Sequence, residues 1–326
     1  MSRFPRCGGW AWLLSSWALE SFRLRFEFLG NPWQIRNAVM TKHSVLDDPT
    51  DVKGGSPDRF GYSWEKFNDL TPDQEEQFRR WTAPLDLDKD WQGKRFLDVG
   101  CGMGRNSYWP MMHGAAGGVA IDVDERSLAA ARRNLARFPS VEVLHRSAYD
   151  FEERNVFDIA FSIGVLHHLE DPGRAVQRMR QAVKPGGAVL IWVYGYENME
   201  HYVWVLNPLR NHVFSRIPVS IVRYLAYVPT AFLWIFLRLG LSRVEYFKLL
   251  RRFTFRHLHH IVFDQMIPRI ANYWRKDEVE SLMQQAGLND IRLVWVNEMS
   301  WAAVGYKTAA TILDNMAPQT SETHSN

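Results

Sequence analysis

A chain of 326 residues, 46% apolar and 23% charged, has the make-up of an ordinary folded soluble protein, with room for one large α/β domain or a medium domain carrying a sizeable insertion. A net charge of +3 gives no ground for expecting nucleic acid as a partner. The two cysteines, Cys7 and Cys101, lie far apart, which argues against a disulfide framework and for a reducing, cytoplasmic setting.

In chain order, Arg3 and Arg6 precede an apolar run that ends near Glu20. That run is too short to cross a bilayer, and no small-residue cleavage site follows it. Met40 offers an alternative start, so residues 1–39 stand outside the fold argument. Residues 1–59 as a whole are expected to be a poorly ordered extension. Phe60, Trp64 and Phe67 then fall at i, i+4 and i+7, one face of a helix. Thr71-Pro72-Asp73-Gln74 predicts a helix start, with Thr as N-cap, Pro at the first position and Gln at the third.

From Arg95 the pattern alternates. Strands are predicted at 95–100, 117–124, 141–147 and 157–163, with helices at 103–113, 127–138 and 172–183. Lys184-Pro185-Gly186-Gly187 is a turn before a fifth strand at 188–194. A helix at 277–286, stopped by Gly287, and strands at 291–296 and 302–306 close the pattern. Such alternation implies a mostly parallel sheet with helices on both faces. The ligand-binding α/β domain is thus expected at 60–195 and 276–308, interrupted by a helical cap at 196–275 and followed by a disordered tail at 309–326. Pro208, Pro218 and Pro229 are expected to break the cap helices.

Open α/β sheets bind ligands at the carboxyl ends of their strands. The first predicted strand ends in Asp98-Val99-Gly100-Cys101-Gly102-Met103-Gly104. Glycine lets the backbone turn sharply and lets a ligand approach without a Cβ in the way. Alone, the turn could serve a nicotinamide dinucleotide. Its G-x-G-x-G spacing and the acid Asp98 favour a ligand that carries positive charge. Asp122 ends the second strand, where a carboxylate can accept from both ribose hydroxyls. Dinucleotide enzymes share that acid, so it marks a nucleoside without saying which. Asp150, after Ala148 and Tyr149, can reach an adenine amino group or be a plain acidic loop.

The fourth strand runs into Leu166-His167-His168-Leu169-Glu170-Asp171-Pro172. With Lys184-Pro185-Gly186-Gly187 and the glycine turn, this segment resembles class I S-adenosylmethionine-dependent methyltransferases, in particular their small-molecule, type 11-like members. The resemblance covers about residues 93–195 and 277–307. It implies a doubly wound, Rossmann-like, mostly parallel seven-stranded sheet with an antiparallel last strand and a helical insertion after strand five. It also implies S-adenosylmethionine as cofactor. Gly100, Gly102 and Gly104 would lie under the methionine part with Cys101, and Asp98 near its ammonium. Asp122 and Val123 would flank the ribose, and Ala148, Tyr149 and Asp150 the adenine. Ser162 and Gly164 would line the cofactor at the end of strand four. Phe60-Gly61-Tyr62-x-Trp64 and Phe263-Asp264-Gln265-x-x-Pro268 resemble a subset with an aromatic lead-in and a long insertion. There Phe60, Tyr62 and Trp64 would act as a lid, or would simply dock a helix on the core.

A base is needed only where the acceptor is a hydroxyl or a protonated amine. His167 and His168 are the nearest candidates, although the pair also begins a turn into a helix. His257, His259, His260 and Asp264 form a second group, and no metal is expected there. The cap holds 11 Lys and Arg against 4 Asp and Glu, which leaves 28 against 32 for the rest of the chain. Its stretch 224–241 is nearly all apolar, too interrupted for a membrane span but suited to an interfacial helix or a lid. The expected acceptor is therefore a small or lipid-like molecule, with peripheral contact to the inner face of a membrane. The alternatives are an RNA or protein methyltransferase and a cofactor-binding scaffold. Neither the accepting atom nor an oligomeric state can be read from these residues.

Overall fold

The computed structural model describes residues 56–240 and 245–308. The expectations for residues 1–55 and for the tail from 309 lie outside these. A seven-stranded sheet, ordered β3-β2-β1-β4-β5-β7-β6, forms the centre. Its strands are β1 (Arg95–Val99), β2 (Gly117–Asp122), β3 (Val141–His145), β4 (Phe157–Ile163), β5 (Val183–Tyr194), β6 (Asn289–Val296) and β7 (Ser300–Tyr306). The first five run parallel, while β7 lies antiparallel between β5 and β6. This is the expected doubly wound α/β sheet with its reversed last strand. Strand order changes direction between β1 and β4, so the carboxyl ends of those strands open the crevice where ligands bind.

Alternate residues of each strand face opposite layers. Leu97, Val99, Ile121, Val189 and Ile191 pack with α5 (Pro172–Ala182) and α11 (Lys276–Gln285) through Val176, Met179, Val279 and Met283. Phe96, Ala120, Phe161 and Leu190 face the other layer, where Phe78, Trp91, Trp109 and Leu128 fill the space. Strands covered on both faces explain why their sequences are near-continuous apolar runs.

Two local readings need correction. Thr71 does not cap α2 (Asp73–Trp81). Gln74 accepts the Thr71 amide hydrogen at 3.1 Å, but the threonine hydroxyl has no partner. The segment Lys184–Gly187 does not precede β5 but loops out of it. Val183 already pairs with Phe157, and Ala188 with Ile159, so four residues stand opposite one, with Gly186 at φ +77°.

The insertion between β5 and α11 is helical: α6 (Glu200–His212), α7 (Val219–Leu225), α8 (Tyr227–Arg238), α9 (Glu245–Leu250) and α10 (Phe255–Met266). Pro218 starts α7 as expected, but Pro208 sits inside α6 and Pro229 in the first turn of α8, where a missing N–H matters least. Residues 219–238 consequently form one helix, long and apolar enough to cross a membrane by length and composition, contrary to the expected interruption. Before the sheet, α1 (Pro57–Lys66) carries Phe60, Tyr62 and Trp64. It begins three residues ahead of the boundary expected at 60.

Candidate active site

The turn after β1 is pinned to the end of β2. The amides of Gly100 and Cys101 both donate to the Ile121 carbonyl at 2.9 Å, and Asp122 accepts the Gly102 amide at 2.9 Å. Gly100, Gly102 and Gly104 have φ of +79°, +53° and +81°, conformations that side chains rarely adopt. At Gly102 the space is also taken, since an added Cβ would stand 2.9 Å from the Trp64 indole nitrogen. The lead-in aromatic therefore lies directly over the turn.

Asp98 is fully buried. Its Oδ2 accepts from the Ser107 hydroxyl at 2.7 Å, and its Oδ1 has no donor. Burial pushes this carboxyl up to about 7, against the pull of the Ser107 hydrogen bond. An unsatisfied buried carboxylate oxygen is costly unless a donor arrives. An aminoacyl ammonium supplies both hydrogen bonds and charge, so the residues present fit S-adenosylmethionine. Asp122 also holds the backbone around it. Its Oδ1 accepts the Asp124 amide at 3.0 Å, and its carboxyl is raised by burial. Each of its oxygens keeps a second lone pair for a ribose hydroxyl.

The other expected cofactor residues cluster at the same strand ends. Cys101 is buried and free, with its thiol raised by burial. Val123 and Ala148 are half-buried and Asp150 is exposed. The Tyr149 hydroxyl accepts the Asp171 amide at 3.0 Å, which ties the adenine-side loop to the start of α5. Ser162 donates to the Val99 carbonyl at 2.9 Å and stitches β4 to β1, and Gly164 turns at φ +78° beside Trp192.

The two histidines after β4 are held as neutral groups. His167 is fully buried, stacks on Tyr194 at 3.7 Å, and has no partner on either ring nitrogen. Burial drives it far below the usual histidine range, with His168 and Arg210 adding to the effect. His168 shares a 2.7 Å hydrogen bond between Nδ1 and the Ile270 carbonyl and is pushed down to about 4 by burial. In the second histidine group, His257 stacks on Phe253 and is lowered to about 3 by burial, with Arg105 next. His259 is bonded to the Arg223 carbonyl and stacks on Tyr227.

His260 is different. Its Nε2 lies 3.0 Å from Asp264 Oδ2, near enough for an ion pair though outside hydrogen-bond geometry. The ring stacks on Phe67 at 4.5 Å and meets Trp64 edge-on at 5.2 Å. Ser63 of α1 donates to the other oxygen of Asp264 at 2.7 Å. Serine, aspartate and histidine from two segments some 200 residues apart thus meet beside the glycine turn. Asp264 and His260 are readable as a helical i, i+4 pair. Ser63 has no sequence signal linking it to them.

Three further features have weak or no sequence signals. At Gly61 a Cβ would stand 1.9 Å from Asp124, so glycine alone lets α1 press onto the end of β2. Arg105, at the first position of α3 (Arg105–Met112), lies between the Trp64 and Trp81 rings at 5.5 and 5.2 Å. Burial lowers its guanidinium to about 10, opposed by the charge of Asp264. Arg210 is 1% exposed and bonds to Asn207, the Gln265 carbonyl and the Tyr273 hydroxyl, all neutral. Arg210 has no carboxylate among these partners, whereas Asp264 lies near enough to act on the charge of Arg105. No three His, Cys, Asp or Glu among the described residues are grouped to hold a metal.

Comparison with known proteins finds similarity over the region of the glycine turn and the parallel strands. Residues 97–191 match the family model described as a methyltransferase domain. A ubiquinone biosynthesis O-methyltransferase of Aromatoleum aromaticum is 36% identical over 108 residues, 32% of this chain and 46% of that protein. A tRNA U34 carboxymethyltransferase of Klebsiella pneumoniae is 29% identical over 131 residues, 39% of each chain. These matches span less than half the length of the curated relatives. Among solved structures, a Burkholderia thailandensis 1,6-didemethyltoxoflavin-N1-methyltransferase with bound 1,6-didemethyltoxoflavin and S-adenosylhomocysteine is similar at a TM-score of 0.49 and 15% identity, over 82% of this chain and 93% of that one. With the glycine turn and the two strand-end acids in place, residues 97–191 carry a methyltransferase domain.

Proposed function

We propose that this protein transfers the methyl group of S-adenosylmethionine to a small-molecule or lipid-like acceptor lying between the glycine turn and the helical cap. The observation that carries this reading is the buried Asp98 with one oxygen lacking a donor, set under a glycine turn that Trp64 covers. When bound, the cofactor supplies an electrophilic methyl group on a sulfonium. Asp98 holds its ammonium, Asp122 its ribose hydroxyls, and the Trp64 ring offers an electron-rich face to positive charge. Together with Phe60 and Tyr62, Trp64 keeps water from the reacting atoms.

His260 is the residue placed to move a proton. Asp264 orients its ring and stabilises the imidazolium, while the nitrogen turned from Asp264 takes the proton of an acceptor hydroxyl or ammonium. His167 and His168, held neutral by burial, shape the wall of the acceptor site. Arg210 favours an acceptor that bears an anionic group, because a buried guanidinium without a counter-ion gains most from one.

The test is S-adenosylhomocysteine release on incubation with S-adenosylmethionine and fractionated anionic small molecules or lipid extracts. The expected result is release with at least one fraction, lost in the His260→Gln variant, which still binds S-adenosylhomocysteine. Binding of cofactor with no release from any fraction would favour a scaffold.

A further inference from the structure

The helix formed by residues 219–238 has two unlike faces. Val222, Ala226, Thr230 and Leu237 are buried and recur at helical spacing. They belong to the side that meets α10, where Tyr227 stacks on His259 at 4.0 Å and the His259 ring is bonded to the Arg223 carbonyl at 2.9 Å. Ile221, Tyr224, Leu225, Val228, Phe232, Ile235 and Leu239 follow one another along the opposite side, most at steps of three or four residues. All seven are exposed, Phe232 by 72%. Of the large apolar side chains exposed among the described residues, only Met112 lies outside the cap. A protein surface does not ordinarily concentrate its apolar exposure in this way.

The stretch of chain that carries this ridge is strongly basic. Between Val203 and Phe263 the chain carries Arg210, Arg216, Arg223, Arg238, Arg243, Lys248, Arg251, Arg252 and Arg256 against a single acid, Glu245. Arg216, Arg238, Lys248 and Arg252 are exposed, and Arg256, also exposed, is paired with Asp69 at 3.1 Å. An apolar face flanked by cations is complementary to a bilayer surface with anionic headgroups. The same helix is long enough to span, but its inner stripe is docked on α10, and spanning would break that contact.

We propose that the helix 219–238 lies in the plane of an anionic membrane surface, with Ile221, Tyr224, Leu225, Val228, Phe232, Ile235 and Leu239 entering the headgroup–acyl boundary. The cap then meets its acceptor at that boundary. This last step rests on the methyl-transfer reading above, and the docking does not.

The test uses the full chain with vesicles of phosphatidylcholine alone and of phosphatidylcholine with phosphatidylglycerol. Wild type is expected to sediment with the anionic vesicles, less so at high salt. The double variant Phe232→Glu, Ile235→Glu should lose about tenfold or more of that binding. The variant Arg216→Glu, Arg238→Glu should lose the preference for anionic lipid. Both should bind S-adenosylhomocysteine as wild type does, which shows that they fold. Spin labels at 221, 228, 232 and 239 should report one shallow depth. Wild type that ignores both vesicle types would overturn the proposal, as would label depths that pass through the bilayer centre. Self-association abolished by Phe232→Glu, Ile235→Glu without vesicle binding would assign the ridge to a second copy instead. Failure of wild type to bind S-adenosylhomocysteine would count against the methyl-transfer reading alone.

Discussion

The strand-end crevice and the helical cap are built on opposite principles. In the crevice the backbone is fixed: Asp98 is buried at the end of β1, Asp122 is half-buried at the end of β2, and the turn between them is pinned to β2 by three hydrogen bonds. In the cap a row of apolar residues is outside, while Arg210 is inside without a carboxylate. On the methyl-transfer reading proposed above, the crevice serves the donor and the cap the acceptor, so substitutions in the two regions should fail in different ways.

The sharpest break is Gly102→Val. With φ at +53° and Trp64 overhead, it should abolish S-adenosylhomocysteine binding in calorimetry while far-ultraviolet dichroism stays unchanged. Next in size, Asp264→Asn should lower kcat by about 10²–10⁴-fold at unchanged cofactor affinity, the range for a general base, here His260, that has lost the carboxylate orienting it. A loss of cofactor affinity instead would move Asp264 to the donor side of the comparison. Asp122→Ala should weaken cofactor binding by roughly 1–3 kcal/mol, because ribose hydroxyls and the Gly102 amide lose their acceptor together. Unchanged affinity in calorimetry would remove Asp122 from the site.

A smaller effect should appear with pH. The Asp98 carboxyl of the free protein is raised to about 7, above its unfolded value. Its contribution to stability is thus present at low pH and lost as pH rises through 7. A cofactor ammonium needs the ionised form, so affinity should rise with pH, by about tenfold from roughly pH 6 to 8, with a proton released on binding. Asp98→Asn should flatten that slope, and a slope of the same size in the variant would assign it to another group. The smallest expected change is Trp64→Ala, which should cost the cofactor about 0.5–2 kcal/mol of cation–π attraction, read as a matching rise in its Kd.

The crevice was legible because its signals are local. Apolar runs, the spacing of Gly100, Gly102 and Gly104, and an acid at each of two strand ends are all read within a few residues. The strands fall within two residues of their expected edges wherever no bulge intervenes. Lys184–Gly187 misled because turn residues also serve a bulge inside a strand. Pro208 and Pro229 misled because proline near a helix start, or with its neighbours re-satisfied, need not end the helix. The acceptor side was less legible for a different reason. Ser63 and Asp264 meet across 201 positions, and Gly61 matters only because Asp124 lies beneath it. Such pairings depend on how distant segments pack, which no periodicity encodes.

The antiparallel β7 carries a consequence for how the molecule is made. It is the neighbour of β5 along seven residue pairs, from Ala188 with Tyr306 to Tyr194 with Ser300. On a ribosome, β5 is finished long before its partner emerges. Throughout synthesis of the cap, one edge of the parallel sheet offers a row of unpaired amides and carbonyls. The most apolar surface among the described residues is therefore produced while the sheet is still open, and a nascent chain in that state is the form most in need of a chaperone or a membrane.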